Sequence, residues 1–187
     1  MQSEAVFRQD YLACHDPEME VPYRAAKATF HLDWPRRYFA MRLHTAFHAL
    51  VGLAYPDYGA RVAGGDMPER HARLDFTPEI DRAGIESLVE QANREIIRGG
   101  PVTVESLPAA QARKQPELIK RADNRIPHSR VHYRVIHIHV VDRLIDGGIH
   151  VADLGEVGAI RILKISAVGR GRKRLKFTID AFDHHGE

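Results

Sequence analysis

Arg42-Leu43-His44-Thr45-Ala46-Phe47-His48 carries two histidines four residues apart. In a helix that spacing stacks both imidazoles on one face, so both can reach a single point. The surrounding sequence reads as such a helix. At about 100° per residue, Phe39, Leu43, Ala46, Phe47, Leu50 and Leu53 form one apolar stripe, and His44 and His48 fall off its centre. Asp33-Trp34-Pro35 has the form of a helix start, and the helix is predicted to run to about Ala54, with Pro56-Asp57-Tyr58-Gly59 ending it. A second pair with the same spacing lies in Asp146-Gly147-Gly148-Ile149-His150. Together the two motifs offer three imidazoles and a carboxylate, a ligand set that suits zinc. With 12 histidines in the chain the spacing alone is a hint. It is not the H-E-x-x-H of zinc peptidases, because Thr45 and Ala46 supply no carboxylate.

Working outward, Ala60 to Gly65 and Arg70 to Phe76 read as two short strands around a turn at Gly64-Gly65-Asp66-Met67-Pro68. Thr77-Pro78-Glu79 opens a second helix, in which Ile85, Leu88, Val89, Ala92 and Ile96 repeat at helical spacing until Gly99-Gly100. Pro101 to Leu107 alternates as a strand, and Pro108 to Lys114 and Pro116 to Arg121 read as short helices or turns. Arg130 to Asp142 is β-branched and aromatic with a period of two, as expected of a central strand. His128, His132, His137 and His139 lie in or beside it on both faces, so structural or surface roles are expected for them. Gly147-Gly148 predicts a tight turn. Gly158 to Val168 and Lys173 to Ile179 read as strands joined by Gly169-Arg170-Gly171-Arg172-Lys173-Arg174. The cations of that basic loop either pair with phosphates or are simply solvated. Residues 1 to 33 are mixed, with an acidic patch from Asp16 to Glu20 and a strand expected through Ala28-Thr29-Phe30-His31-Leu32. The tail Asp183-His184-His185-Gly186-Glu187 is not expected to be a metal site.

Composition narrows the class. The 187 residues, 44% hydrophobic and 28% charged, suit one domain or a compact two-lobed one with a sizeable core. No apolar run approaches the roughly 20 residues of a membrane-spanning helix. The N-terminus has no basic segment followed by an apolar core, so cytosolic residence is expected. The single cysteine, Cys14, excludes an internal disulfide. A net charge of +2 is mild, so a nucleic-acid partner must be met by local clusters.

The order of motifs resembles the alanyl-tRNA editing family. That family comprises the editing domain of alanyl-tRNA synthetase, its free-standing relatives and the related threonyl-tRNA synthetase editing domain. The residues that carry the resemblance run from Asp33-Trp34-Pro35-Arg36-Arg37-Tyr38 through His44-Thr45-Ala46-Phe47-His48. They continue with Pro116-Glu117-Leu118-Ile119-Lys120, Asp146-Gly147-Gly148-Ile149-His150-Val151, Gly155-Glu156-Val157-Gly158 and the basic Gly169 to Arg174 segment. The resemblance covers roughly Leu32 to Ile179.

It implies an α+β fold, with antiparallel β-sheet packed against two main helices, in an editing domain over 34–182. Before that domain lies a short N-terminal segment, 1–33, and after it a tail, 183–187. It also implies a cytosolic hydrolase that removes serine or glycine wrongly attached to alanine-accepting tRNA, with no need for ATP. His44, His48, Asp146 and His150 would hold Zn2+. The metal would polarise the ester carbonyl or activate water, or instead hold the substrate's amino group. Arg170, Arg172, Lys173 and Arg174, with Arg36 and Arg37, would contact the acceptor end of the tRNA by phosphate and shape. Neither DNA nor a membrane is expected as a partner.

This chain departs from the family in two places. The family motif reads Cys-Gly-Gly-Thr-His, so Asp146 stands for cysteine and Ile149 for threonine; the harder oxygen ligand loosens the preference for zinc over other divalent ions. The glycine-rich N-terminal subdomain of free-standing members has no counterpart in the first 33 residues. Two alternatives stay open: a non-catalytic metal- and tRNA-binding paralogue, and a metal-dependent hydrolase of a small ester or amide.

Overall fold

The two-histidine stretch lies near the middle of α1 (Trp34–Tyr58). The structure is a computed structural model that describes residues 31–68, 70–123, 130–169 and 171–180. Expectations for Cys14, Asp16 to Glu20, residues 28–30, His128, Arg170 and the tail from Asp183 to Glu187 fall outside the described residues. Asp33 caps α1 by accepting from the Arg36 amide at 3.1 Å, and Pro35 occupies the first turn, where a missing N–H is harmless. The helix runs one turn past the expected Ala54. Proline has a helix-compatible φ, so Pro56 costs one amide bond without ending the helix. Gly59 ends it instead, because its left-handed φ of 62° turns the N–H back to the Tyr55 carbonyl at 3.0 Å.

After α1 come β1 (Arg61–Asp66), β2 (Ala72–Thr77), α2 (Arg82–Arg98), β3 (Val102–Pro108) and the single-turn α3 (Ala109–Ala112). A 3-10 turn at Pro116–Leu118 leads to β4 (His132–Ile138) and β5 (Asp142–Ile145). A second 3-10 turn, Leu154–Glu156, precedes β6 (Ile160–Ala167) and β7 (Lys173–Ile179). The described strands form two antiparallel sheets, ordered β1-β2-β7-β6 and β3-β4-β5. The α+β expectation therefore holds, with the sheet divided in two.

Three local expectations change. The second helix opens at Arg82 and not at Thr77-Pro78-Glu79: Thr77 closes β2, and Asp81 caps α2 by accepting from the Gly84 amide at 2.7 Å. Gly64-Gly65 is strand, not turn: β1 runs through both glycines after an irregularity between Val62 and Gly64. A Cβ on Gly65 would come within 2.8 Å of the Phe47 ring, so glycine here lets β1 lie directly on α1. The long strand expected from Arg130 to Asp142 folds back on itself. It breaks after Ile138, where Val141 N–H bonds to the Ile138 carbonyl at 3.0 Å, and Asp142 begins β5. β4 is nonetheless central in its sheet.

α1 is buried on almost every side from Arg42 to Ala54, as a helix packed against both sheets and α2 must be. Leu43, Ala46 and Leu50 of α1 share one core with Ile85 and Leu88 of α2 and with Leu74, Phe76, Leu175 and Phe177. A smaller core around Leu107, Leu118, Tyr133 and Val135 lies beside β4. This arrangement sets the middle of α1 against the loop that follows β5, whose Val151 shares the larger core.

Candidate metal centre

α1 supplies His44 and His48, and the turn after β5 supplies Asp146 and His150. One ligand atom from each of these four side chains lies within 4.8 Å of the others. The approach depends on Gly148, where a Cβ would collide with the His44 ring. At Gly147, by contrast, a Cβ would meet no described atom within 4 Å. The pair of glycines read as a turn thus contains one that close approach demands.

Hydrogen bonds decide which nitrogen the His44 and His150 rings present. His44 Nδ1 lies 3.1 Å from the Ile149 carbonyl, which can only accept, so Nδ1 carries the proton and Nε2 keeps its lone pair. Thr45 Oγ1 spends its own proton on the Met41 carbonyl at 2.9 Å. It must therefore accept from His150 Nδ1 at 3.2 Å, which leaves His150 Nε2 with a lone pair as well.

The His44 lone pair faces the His48 ring, and that of His150 faces a carboxylate. His44 Nε2 is 3.0 Å from His48 Nε2, and His150 Nε2 is 3.1 Å from Asp146 Oδ2. Asp146 Oδ1 lies 3.6 Å from His48 Nε2 and 3.9 Å from His44 Nε2. Acceptors packed this closely repel unless a proton or a cation sits among them. Three nitrogens and one carboxylate match the donor set of a divalent transition metal, so the side chains present fit zinc.

The electrostatics agree. Burial, with the neighbouring His48 and His150 rings, pushes the His44 imidazole down to about 4, against the pull of Asp146. Burial also lowers His150 despite its bond to Asp146. Burial alone would raise the Asp146 carboxyl, but His150 and His48, hydrogen-bonding to it when protonated, hold it well below the usual carboxylate range. Neutral imidazoles beside an ionised carboxylate are the protonation states a metal requires.

The cluster opens onto a cavity of about 660 Å³. Phe47, Val51, Leu118 and Leu144 form apolar wall, and Arg130, Arg134, Lys120 paired with Asp142, and Arg121 paired with Asp123 at 3.1 Å also line it. Arg134 donates to the Gly148 and Asp146 carbonyls at 2.7 and 3.2 Å, fastening the histidine loop to β4. One turn along α1 from His48, Gly52 lies against Asp142, which forms a buried ion pair with Lys120. Of the strand histidines, His132 lines the cavity, and His137 and His139 are exposed.

The basic residues are dispersed. Arg36 is exposed and Arg37 half-buried on the first turn of α1, and Arg172 is exposed in the β6–β7 turn. Lys173 and Arg174 belong to β7 rather than to the loop. Lys173 pairs with Glu79 at 2.7 Å, and Arg174 makes a two-pronged pair with Asp75 at 2.6 and 2.8 Å. As neighbours in a strand they point to opposite faces and do not present one patch. Arg170 lies outside the described residues.

Sequence reading includes Arg42, Tyr38 and Glu156 in its motifs but gives them no role. Arg42 is 2% exposed; its guanidinium donates to the Glu156, Val157 and Asp180 carbonyls at 2.8 to 3.1 Å. Tyr38 donates to Glu156 at 2.7 Å; burial first, then that bond, pushes its hydroxyl up to about 12. The other Glu156 oxygen accepts from the Ala152 and Asp153 amides, completing a capping box. Gly155-Glu156-Val157-Gly158 is thus the dock that sets α1 against the histidine loop. The available signal was a cation on the apolar stripe, three residues after Phe39 and four before Ala46.

Comparison with known proteins adds the family. Residues 133–176 match the model for the threonyl and alanyl tRNA synthetase second additional domain. The chain is 37% identical over 148 residues to the alanyl-tRNA editing protein AlaX-M of Saccharolobus solfataricus, covering 79% of this chain and 62% of that protein. It is 28% identical over 162 residues to the alanyl-tRNA editing protein AlaX-L of Pyrococcus horikoshii, covering 85% and 38%. It is 30% identical over 185 residues to the alanine-tRNA ligase of Pyrobaculum calidifontis, covering 92% and 20%. The chain therefore spans about three fifths of the AlaX-M relative, 62% of its length. Motif order, two-sheet fold and these matches agree, and they support an alanyl-tRNA editing family for this chain.

Proposed function

We propose that this chain is a metal-dependent hydrolase of the cytoplasm that deacylates tRNA(Ala) mischarged with serine or glycine. The relatives' names supply the reaction class, since they are alanyl-tRNA editing proteins. The observation that carries the reading is the convergence of His44, His48, Asp146 and His150 beside a cavity lined by both apolar and cationic side chains.

In this reading those four residues hold the metal, and Zn2+ is the first candidate. When bound, the metal supplies Lewis acidity to the ester carbonyl and to water. The chain's own residues do the rest. The Ile149 carbonyl and Thr45 hold the His44 and His150 tautomers that leave Nε2 lone pairs available. Phe47, Val51, Leu118 and Leu144 exclude bulk water from the reacting ester. Arg121 and Arg130, at the cavity wall, meet the phosphates of the tRNA 3′ end. An aminoacyl ester is already activated, so no ATP is needed.

The deciding experiment measures serine release from seryl-tRNA(Ala) by metal-loaded protein and by a chelated control, with His48→Ala beside them. The expected result is metal-dependent release that His48→Ala abolishes together with metal content. Unchanged metal content in His48→Ala would sink the site. Binding of tRNA with no release would favour the non-catalytic paralogue.

A further inference from the structure

The sheet β1-β2-β7-β6 buries one face: Leu74, Phe76, Leu175, Phe177 and Ile179 point into the core. Their neighbours in sequence therefore point outward. Directly opposed residues of antiparallel strands share a face, and the register sets Arg73 opposite Lys176 and Lys176 opposite Lys164. The second pairing exists because the register shifts between Ile162 and Lys164. Without that bulge Leu163, not Lys164, would face Lys176. A bulge has re-aimed β6 so that a third cation joins the row.

Three adjacent strands thus carry Arg73, Lys176 and Lys164 side by side, across about 10 Å. Like charges directly opposed cost stability. Asp66 offsets only one end, pairing with Arg73 at 2.9 Å. Among the described residues Lys164 and Lys176 have no ion-pair partner, and the buried Nε of Arg73 has no hydrogen-bond partner. In the next row Asp75 neutralises Arg174, and Ser166 adds a hydroxyl opposite it. All of these side chains except Asp75, together with Pro68 and His71, line a shallow depression of about 360 Å³. Pro68 is its one apolar side chain, so it lacks the large aromatic and aliphatic anchors of a protein interface.

Position supplies the partner. Asp66 lines both this depression and the larger cavity beside the histidine cluster, so the two adjoin at the end of β1. We propose that the outward row Arg73, Lys176 and Lys164 binds the phosphodiester backbone of the RNA whose 3′ end enters that cavity. This rests on the editing reading above. The contacts are to phosphate, so they position the substrate without reading its sequence.

The test measures the affinity of unacylated tRNA(Ala) between 50 and 200 mM salt for the wild type, for Lys164→Gln with Lys176→Gln, and for Lys164→Arg with Lys176→Arg. Each lost phosphate contact lowers the slope of log affinity against log salt by about 0.7–0.9. The double glutamine variant should therefore bind more weakly and lose roughly tenfold less affinity across that range than the wild type. The double arginine variant should match the wild type. Zinc content, and hydrolysis of seryl-adenosine, which carries no phosphodiester, should be unchanged in all three. An unaltered salt slope in the glutamine variant overturns the proposal while leaving the editing reading intact. Wild-type protein without salt-dependent tRNA affinity overturns both.

Discussion

Thr45 Oγ1 accepts a hydrogen bond from His150 Nδ1 at 3.2 Å, joining α1 to a loop 105 residues away. The same oxygen accepts from the Val151 amide at 3.3 Å, so one buried hydroxyl orients a ring and anchors the backbone beside it. Partners that orient a ligating histidine are typically worth about 10- to 100-fold in metal affinity. Thr45→Val should lose metal affinity by that factor and destabilise the fold by about 1–3 kcal/mol, while Thr45→Ser keeps both. Chelator competition and urea unfolding of the metal-free protein measure the two effects separately.

The two glycines of the histidine loop should respond differently. Gly148→Ala drives a methyl into the His44 ring, so it should abolish stoichiometric metal binding and cost about 1–3 kcal/mol. Gly147→Ala should stay within about 0.5 kcal/mol of wild type. Metal content per chain and melting temperature of the pair settle this; equal behaviour would contradict the placement of His44.

Replacing Arg42 tests the dock. Arg42→Met keeps the length of the side chain but leaves buried carbonyls of Glu156, Val157 and Asp180 without donors, a loss of about 3 kcal/mol or more. Arg42→Lys should recover little, because one ammonium cannot reproduce the planar fork. The urea midpoint should fall in both variants with the slope of the transition unchanged.

Acidification should weaken the metal-free protein in a defined window. His44 titrates at about 4 in the folded protein against an ordinary 6.5. Above pH 6.5 both folded and unfolded chains keep the ring neutral and stability is complete. As pH falls from 6.5 towards 4 the unfolded chain takes up the proton first, and about 2–3 kcal/mol is lost. His150, also lowered, acts in the same direction. Asp146 is held below the usual carboxylate range, so its contribution persists through this window and is lost only at lower pH. Urea unfolding at pH 7 and pH 4.5 should show the loss, and His44→Gln should flatten it.

Asp146→Cys should sharpen metal choice. A thiolate is softer than a carboxylate, so the variant should bind zinc more tightly and manganese more weakly than the wild type. Competition between the two ions at equal total concentration reads the change; an unaltered preference would mean that residue 146 does not ligate.

Much of this protein was legible in the sequence because it rests on local periodicity. Helical spacing placed His44 and His48 on one face of α1 and marked α2 by Ile85, Leu88, Ala92 and Ile96, and strand alternation marked β4 as central. The four candidate ligands could be named because each pair keeps its spacing within a short segment. The tertiary structure decided what depends on contacts between distant segments. It determined that Gly65 continues a strand against Phe47, that Thr45 and the Ile149 carbonyl select the imidazole tautomers, and that Arg42 docks α1 on Val157. It also set the bulge that aligns Lys164 with Lys176. Periodicity is a property of neighbouring residues, whereas register, tautomer and close approach are set by which distant backbone atom lies within reach.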